Sequence, residues 1–356
     1  MNFDERKQAF IALGLFLKSY ISDKKIGTTY IGGIDAFLLL DKAINYACIE
    51  NIWFVAANVE QAIQANTTDM LDEEKLKLWL GHYRFMPDES DSKHKIGIIM
   101  AGNIPLVGFH DLLCVLLCGY CAVIKTSSKD NVLVHVLTDI LCKIEPRFGE
   151  LIVYTQQRPV DVDAVICTGS NNSARYFESW YGNIPHIIRK NRSSVAILTG
   201  EETTDDMQAL GKDIFSYFGL GCRNVSSLLV PENYNFDRLI SILSSYSFVA
   251  NHKAYRDCYR YQKAVMDMEN TWYYDTGFLL LKNSILLSAP IALVNYQKYT
   301  NLEYAKKIVQ LLSNHLQCVA YQYDDVCNAV RFGQTQHPQL FDYADKIDTV
   351  NFLINN

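Results

Sequence analysis

Long apolar runs are missing from this 356-residue sequence. The longest, at residues 112–117 and their neighbours, is broken by Gly119 and is far shorter than the roughly 18 residues that a membrane-spanning helix requires. The first residues mix acidic and basic side chains without a basic stretch followed by an apolar core, so we expect no secretory signal peptide. These absences predict a cytoplasmic protein without a membrane span.

The sequence also lacks a basic surplus, a disulfide scaffold and a metal-binding pattern. Lys and Arg number 33 against 39 Asp and Glu, a net charge of −6, so we expect no nucleic-acid partner. Ten cysteines are too few for a disulfide-built fold of this length, and we expect reduced thiols. The eight histidines show no ligand spacing, and no metal site is predicted. A hydrophobic share of 49% indicates a globular rather than a disordered protein.

The pattern of apolar residues changes once along the chain, near residue 90. Residues 1–90 show helical periodicity, and a polar stretch from residue 87 marks the first boundary. Beyond it, short and nearly continuous apolar runs alternate with helical segments, which is the pattern of parallel strands covered on both faces. The predicted strands begin near Ile96, Ala122, Leu151, Ala164, Val195 and Ser227.

Ligands of parallel sheets bind at the carboxyl ends of the strands, so the residues that follow each strand are the first site candidates. Asn103 is suited to donate to a developing oxyanion, or it stabilises a turn. Lys125 precedes Thr-Ser-Ser and suits a phosphate or ribose, or it is a surface lysine. Gly169 and Ser170 open a helix whose N-terminus would bind an anion, or Ser170 is an ordinary cap. The Gly-x-Gly-x-x-Gly dinucleotide fingerprint is absent.

Cys222 is the candidate nucleophile. Glycines at 219 and 221 allow the backbone to approach a substrate closely. The neighbouring Arg223 favours the thiolate, which is the reactive form of cysteine. The alternative is a buried thiol beside a glycine turn.

Two further patterns have a chemical and a structural interpretation. Cys114, Cys118 and Cys121 have the spacing of a radical SAM iron–sulfur loop, but their apolar surroundings favour a buried helix. His110 and Asp111 form either an acid/base pair or an ordinary early-helix pair.

The order of these motifs resembles the aldehyde dehydrogenase superfamily and, more closely, the fatty acyl-CoA reductases of the LuxC type. The resemblance covers about residues 90 to 350, and Gly-Leu-Gly-Cys-Arg-Asn-Val-Ser is its most specific block. The strings that carry it are Met-Ala-Gly-Asn-Ile-Pro-Leu-Val-Gly (100–108), Thr-Gly-Ser-Asn-Asn-Ser-Ala-Arg (168–175), Arg-Lys-Asn-Arg-Ser-Ser-Val-Ala (189–196), Tyr-Phe-Gly-Leu-Gly-Cys-Arg-Asn-Val-Ser (217–226) and Phe-Gly-Gln-Thr-Gln-His-Pro (332–338).

The resemblance implies an α/β, aldehyde dehydrogenase-like fold with two Rossmann-like parallel-sheet domains and a helical N-terminal segment. It implies four parts along the chain. These are a helical segment that packs on the cofactor domain (1–90), a cofactor-binding domain (91–195), a domain with the catalytic cysteine (196–330) and a C-terminal segment that returns to the core (331–356).

The resemblance also implies roles for single residues. Cys222 falls on the nucleophile, and Asn103 on the amide that forms the oxyanion hole with the Cys222 backbone N–H. Lys125 falls on the lysine at the adenosine ribose, and Gly169 and Ser170 on the loop near the cofactor phosphates and nicotinamide. Ser128 replaces a glutamate that often follows the cofactor lysine. Because a carboxylate there would repel a 2′-phosphate, we expect NADPH as the cofactor, with NADH also permitted.

Two departures from the superfamily pattern bear on the reaction. Residues 189–192 lack the glutamate that activates water to hydrolyse the acyl-enzyme, so net oxidation of an aldehyde to an acid should be poor. Residues 287–290 replace a later Glu-x-Phe-Gly-Pro segment, which leaves the anchor of the nicotinamide ribose unidentified.

We therefore expect reduction of an acyl thioester to an aldehyde through a Cys222 acyl-enzyme. The acyl donor is an acyl-CoA or an acyl carrier protein, and a homo-oligomer or a complex with an acyl-transfer partner is expected from the resemblance. The alternatives are an acyltransferase or thioesterase that uses Cys222, and a non-catalytic binding partner for acyl-CoA or acyl carrier protein.

Overall fold

The computed structural model describes residues 1–23, 30–31, 34–84 and 86–356. The chain divides into two compact units. Unit 1 consists of Met1–Lys190 and Pro338–Asn356, and unit 2 of Asn191–His337. The unit boundaries lie within about eight residues of the predicted divisions near 195 and 330, and the functional assignment of the predicted parts stays a prediction.

Helices and short strands alternate along most of the chain. The helices are α1 (Phe3–Asp23), α2 (Ala36–Glu50), α3 (Ala56–Ala65), α4 (Glu73–Leu80), α5 (Phe109–Leu117), α6 (Val132–Ile144), α7 (Asn171–Tyr181), α8 (Thr204–Phe215), α9 (Phe236–Leu243), α10 (Lys253–Met268), α11 (Leu302–Leu311) and α12 (Thr349–Ile354). The strands are β1 (Tyr30–Ile31), β2 (Ile34–Asp35), β3 (Asp91–Ile99), β4 (Tyr120–Lys125), β5 (Ile152–Tyr154), β6 (Ala164–Thr168), β7 (His186–Arg189), β8 (Ser193–Ile197), β9 (Val225–Pro231), β10 (Tyr273–Asp275), β11 (Leu280–Asn283), β12 (Leu293–Tyr299), β13 (Leu316–Ala320) and β14 (Ala329–Val330).

Unit 1 contains a five-stranded sheet in the order β5-β4-β3-β6-β7, and all of its pairings are parallel. The chain adds β4 and β5 on one side of β3 and then β6 and β7 on the other. The strand order therefore reverses between β3 and β6, which is where ligands of doubly wound sheets bind. At the carboxyl end, Ile99 of β3 pairs with Lys125 of β4 and with Cys167 of β6.

The core of unit 1 explains the predicted helical N-terminus. Leu17, Leu40 and Trp79 project from α1, α2 and α4 and are fully buried. Every residue of helix α5 except His110 is buried, as the apolar run at residues 112–117 predicts. Strand β3 begins at Asp91, inside the polar stretch that the sequence marks as a boundary. Its first residues are exposed and are held by backbone pairing to β4, which apolar periodicity does not reveal.

Unit 2 contains a seven-stranded sheet in the order β10-β11-β12-β9-β8-β13-β14. Its pairings are parallel except for the β10–β11 pair, which is antiparallel. Val195, Leu229 and Val319 of three neighbouring strands pack in one buried cluster. Helix α8 leads into β9 through a short turn that contains Cys222. Across the described ranges, no helix combines the length and the apolar character needed to cross a membrane.

Candidate active site

The turn between α8 and β9 exposes the candidate nucleophile. Tyr217 and Phe218 adopt left-handed backbone angles (φ 51° and 57°), and Gly219 follows with φ 79°. Such angles cost a non-glycine residue on the order of 1–3 kcal/mol. All ten cysteines lie in the described ranges, and of these Cys222 and Cys327 are exposed. The strained turn therefore reverses the chain within a few residues, and Cys222 is exposed on it.

Asn224 connects this turn to the end of α8. Its buried side-chain Nδ2 donates to the carbonyl oxygens of Asp213 (3.0 Å) and Ser216 (2.9 Å), and its Oδ1 accepts from the Gly221 N–H (2.8 Å). Carbonyl groups in the last turn of a helix have no partner within the helix. Asn224 supplies that partner and fixes the residue that precedes Cys222.

Ser194 holds the backbone of Cys222 from the sheet. Its fully buried hydroxyl, near the start of β8, donates to the Cys222 carbonyl oxygen at 2.9 Å. The Ser194 hydroxyl oxygen itself accepts from the Cys318 N–H at 3.3 Å. The position of Cys222 is therefore set by neighbouring strands as well as by its own turn.

Arg223 connects the turn to the C-terminal part of unit 2. Its Nε donates to the Thr335 carbonyl oxygen at 2.6 Å. Asn224, Ser194 and Thr335 all lie in the motif strings, but the sequence assigns them no role. Their place in the motif strings was the only sequence signal for these residues, and the hydrogen bonds show that they hold the turn with Cys222.

A small pocket adjoins the turn within unit 2. Phe215, Phe218 and Gly219 line one part of it, and residues 289–294 line another. Tyr255 also lines the pocket, is almost fully buried, and its hydroxyl has no hydrogen-bond partner among the described residues. One of the lining residues, Gly219, lies three residues before Cys222.

Asn103 lies half-buried in the loop that follows β3 in unit 1. Leu106 in this loop has φ 58°, and its N–H donates to Oδ2 of Asp130 at 2.7 Å. Gly102 faces the Ser127 side chain so closely that an added Cβ would lie 2.6 Å from it. The loop with Asn103 therefore packs tightly on the loop that follows β4.

Asp130 lies in the loop after β4, beside the candidate site residues, and the sequence did not predict it as one of them. Its side chain is buried, and Oδ1 has no hydrogen-bond partner among the described residues. Burial raises the pKa of Asp130 to about 7, because the single N–H of Leu106 does not offset the loss of water. Its position two residues after the predicted cofactor residue Ser128 was the only sequence signal that could have indicated it.

The remaining predicted cofactor residues lie at the same sheet edge. Lys125 is the half-buried last residue of β4, and Ser128 is exposed in the following loop. Ser170 caps α7 by accepting from the Ser173 N–H at 3.1 Å, which is the structural interpretation the sequence left open. A Cβ at Gly169 would lie 2.9 Å from that of Ser173, so glycine is required there.

The structure thus brings together most of the predicted site residues but not all. In unit 1 the carboxyl edge of the sheet collects Asn103, Lys125, Ser128, Gly169 and Ser170. Cys222 belongs to unit 2 and lies before the amino end of β9, so the rule that sites follow strands does not locate it.

The cysteines near residue 114 and the His110–Asp111 pair have structural rather than chemical surroundings. Cys114 and Cys118 lie in and just after the buried helix α5, and burial raises the pKa of the Cys118 thiol to about 12, which disfavours the thiolate. Among the described residues, no three His, Cys, Asp or Glu side chains group to hold a metal. Asp111 forms a buried ion pair with Arg189, and burial lowers the pKa of His110.

No protein-family model and no curated protein matches the sequence. Solved structures do match. Aldehyde dehydrogenase 21 from Physcomitrella patens, in complex with the reaction product succinate, has a TM-score of 0.68 at 13% identity, covering 100% of this chain and 84% of that chain. An NAD-dependent benzaldehyde dehydrogenase from Corynebacterium glutamicum has a TM-score of 0.63 at 12% identity, covering 91% and 77%.

The NAD⁺ complex of an aldehyde dehydrogenase from Bacillus cereus has a TM-score of 0.62 at 11% identity, covering 92% of this chain and 73% of that chain. At such low identities the similarity establishes the architecture and leaves substrate and cofactor to be argued from residues. The chain therefore has the aldehyde dehydrogenase-like α/β fold that its motifs predict.

Proposed function

We propose that this protein is an NAD(P)H-dependent reductase that converts an acyl thioester to an aldehyde through an acyl-enzyme on Cys222. The observation that carries the proposal is the exposed Cys222 thiol on a strained turn whose neighbouring residues are fixed by hydrogen bonds. Such a turn orients a nucleophile, and it occurs here in a chain with the aldehyde dehydrogenase-like fold.

In the first half-reaction the Cys222 thiolate attacks the thioester carbonyl carbon. A new bond forms between the Cys222 sulfur and that carbon, and the bond to the carrier sulfur breaks. The Asn103 amide donates to the oxygen while it is negatively charged, a contribution of about 3 kcal/mol in acyl-transfer enzymes. The carrier leaves as a thiolate that takes up a proton.

Residues of unit 1 fit a nicotinamide cofactor. The switch point between β3 and β6 opens on the N-terminus of α7, and Gly169 leaves no side chain in front of it. Lys125 would hold a ribose, and the exposed Ser128 leaves room for a 2′-phosphate, which favours NADPH. When bound, the cofactor supplies the hydride that reduces the acyl group.

The absence of a hydrolytic base supports reduction over acid formation. Residues 189–192 contain no carboxylate, and Arg189 is engaged in its buried pair with Asp111. Glu202, which follows β8, accepts hydrogen bonds from Thr199 and Gly200 and is buried. A carboxylate occupied in this way holds a turn and does not activate water.

The substrate we propose is an acyl group with apolar character, carried by coenzyme A or by an acyl carrier protein. The apolar side chains of Phe215 and Phe218 lie close to Gly219 and support this.

The test is NADPH absorbance with purified protein and a panel of acyl-CoAs. Wild type should consume NADPH and release aldehyde, whereas Cys222→Ala should do neither because the bond-forming sulfur is gone. Cys327→Ala removes the other exposed thiol and should retain wild-type turnover. Full activity of Cys222→Ala would overturn the proposal.

Mass spectrometry of the intact protein separates the alternatives. An acyl adduct on Cys222 without NADPH oxidation would indicate an acyltransferase or thioesterase. Neither an adduct nor oxidation across the panel would indicate a non-catalytic binding partner.

A further inference from the structure

Helix α8 carries a buried carboxylate that the sequence analysis did not single out. Asp213 is 1% exposed. Its Oδ2 accepts from the Gly333 N–H at 2.7 Å, and its Oδ1 accepts from the Thr335 N–H at 3.1 Å and the Thr335 hydroxyl at 2.8 Å. Aspartate is almost never fully buried unless its oxygens are satisfied, and here one loop satisfies them.

The same loop contacts the residue that follows Cys222. Thr335 is fully buried, and its carbonyl oxygen accepts from Nε of Arg223 at 2.6 Å. Gly333 has φ 81°, a left-handed angle, and a Cβ there would lie 3.1 Å from that of Ala209 on α8. Glycine therefore allows the loop to approach the helix and present its N–H to Asp213.

The backbone of Asp213 also connects to the turn that contains Cys222, on the side of Gly221. Its carbonyl oxygen accepts from Nδ2 of Asn224, whose Oδ1 accepts from the Gly221 N–H. One residue of α8 therefore reaches both neighbours of Cys222, Gly221 through Asn224 and Arg223 through Thr335.

We propose that Asp213 is a positioning residue for Cys222, acting through Thr335 and Arg223. The inference rests on the proposed role of Cys222 as the nucleophile. The Asp213 carboxylate holds the 332–338 loop, and Thr335 in that loop accepts from Nε of Arg223, the residue that follows Cys222. A cation next to a cysteine favours the thiolate. Asp213 itself touches no reacting atom.

The cost of burying this group supports a role beyond stability. Burial raises the pKa of Asp213 to about 6, so holding the carboxylate ionised there costs free energy that its three donors offset only in part. Removing the carboxylate would leave those donors unpaired, and the loop would lose its attachment to α8.

The test measures alkylation of Cys222 by iodoacetamide, followed by peptide mass spectrometry. Exposed Cys327 in the same molecule is the internal reference. Asp213→Asn and Thr335→Val should lower the Cys222 rate relative to Cys327 by about tenfold, because the thiolate loses its cation. Thr335→Ser keeps the hydroxyl and should restore the wild-type ratio.

Asp206→Asn is the matched control on the same helix. Asp206 forms the capping box of α8 with Thr203, so the variant weakens the helix at its other end without touching the turn. It should lower the melting temperature but leave the alkylation ratio unchanged. If Asp213→Asn fails to fold, the Thr335→Val and Thr335→Ser pair decides.

An unchanged ratio in folded Asp213→Asn or Thr335→Val would overturn the inference. So would an equal loss in Asp206→Asn, since it would indicate general destabilisation. The readout needs no substrate. Wild-type Cys222 that is never acylated therefore contradicts the proposed function, whereas an unchanged ratio in an active enzyme contradicts only the role of Asp213.

Discussion

Asn103 is the residue whose side-chain amide we propose as the donor to the oxyanion. It is half-buried in a loop in which the Leu106 N–H donates to Asp130. That hydrogen bond does not involve the Asn103 side chain, so Asn103→Ala should keep it while removing the proposed donor to the oxyanion.

We expect Asn103→Ala to lower kcat for acyl-thioester reduction about 10² to 10³-fold, with kcat/KM falling in parallel, because the donor acts when negative charge develops. Steady-state kinetics with NADPH in excess measures this. Asn183→Ala, at an exposed asparagine in the turn that follows α7, is the control and should match wild type. Wild-type kcat in Asn103→Ala would assign the oxyanion donor to another group.

The loops after β3 and β4 act as one element because Asp130 joins them. The pKa of Asp130, about 7, lies above the value of about 4 expected in an unfolded chain. The folded state therefore binds the proton more tightly. The resulting stabilisation is complete below pH 4 and is lost as the pH rises through 7.

Urea unfolding at pH 5 and pH 7.5 should show this difference. Relative to Asp130→Asn, wild type should gain about 1–3 kcal/mol of unfolding free energy at the lower pH, since one pKa unit corresponds to about 1.4 kcal/mol. The asparagine keeps an acceptor for the Leu106 N–H but has no proton to bind. The same pH dependence in both proteins would show that Asp130 does not titrate in this range.

At the scale of the molecule, unit 1 is completed by the last residues of the chain. Arg189 donates through Nη2 to the Thr349 hydroxyl at 3.1 Å, and Trp79 donates through Nε1 to the Tyr343 hydroxyl at 2.9 Å. Val350 and Leu353 of α12 are buried. The C-terminal segment therefore contributes both polar partners and apolar surface to unit 1.

Thr349→Val should destabilise unit 1 by about 1–3 kcal/mol, because a buried charged donor of Arg189 loses its acceptor. Hydrogen exchange followed by mass spectrometry should show the loss of protection in peptides of Met1–Lys190 and little change in Asn191–His337. Asn355→Ala, at an exposed position after α12, is the control. Equal loss in both units would mean that they unfold as one.

Local sequence predicted much of the site because local rules govern it. Cys222 was singled out by its neighbouring glycines and Arg223, and it lies exposed on a turn. The sequence allows Ser170 to be a helix cap or a cofactor-loop residue, and the structure shows the cap, with α7 beginning at the next residue. These features depend on residues within a few positions of one another, where propensity and capping act.

The sequence did not predict a role for Asp130 or Asp213, because their burial is a property of the folded chain. Nothing next to Asp130 or Asp213 along the chain indicates that each would be enclosed. Asp130 meets Leu106 from the loop after another strand, and Asp213 meets Thr335 more than 100 residues away. Their raised pKa values follow from that enclosure.

The sequence by itself determined the alternation of strands and helices, the buried helix α5 and the turn with Cys222, because apolar periodicity, glycine and capping residues act over short distances. Only the tertiary structure decided where β3 begins, that the part of the C-terminal segment in unit 1 starts at Pro338 rather than at residue 331, and which groups hold the turn with Cys222. Those outcomes come from hydrogen bonds and burial between residues far apart in the chain, which no local pattern records.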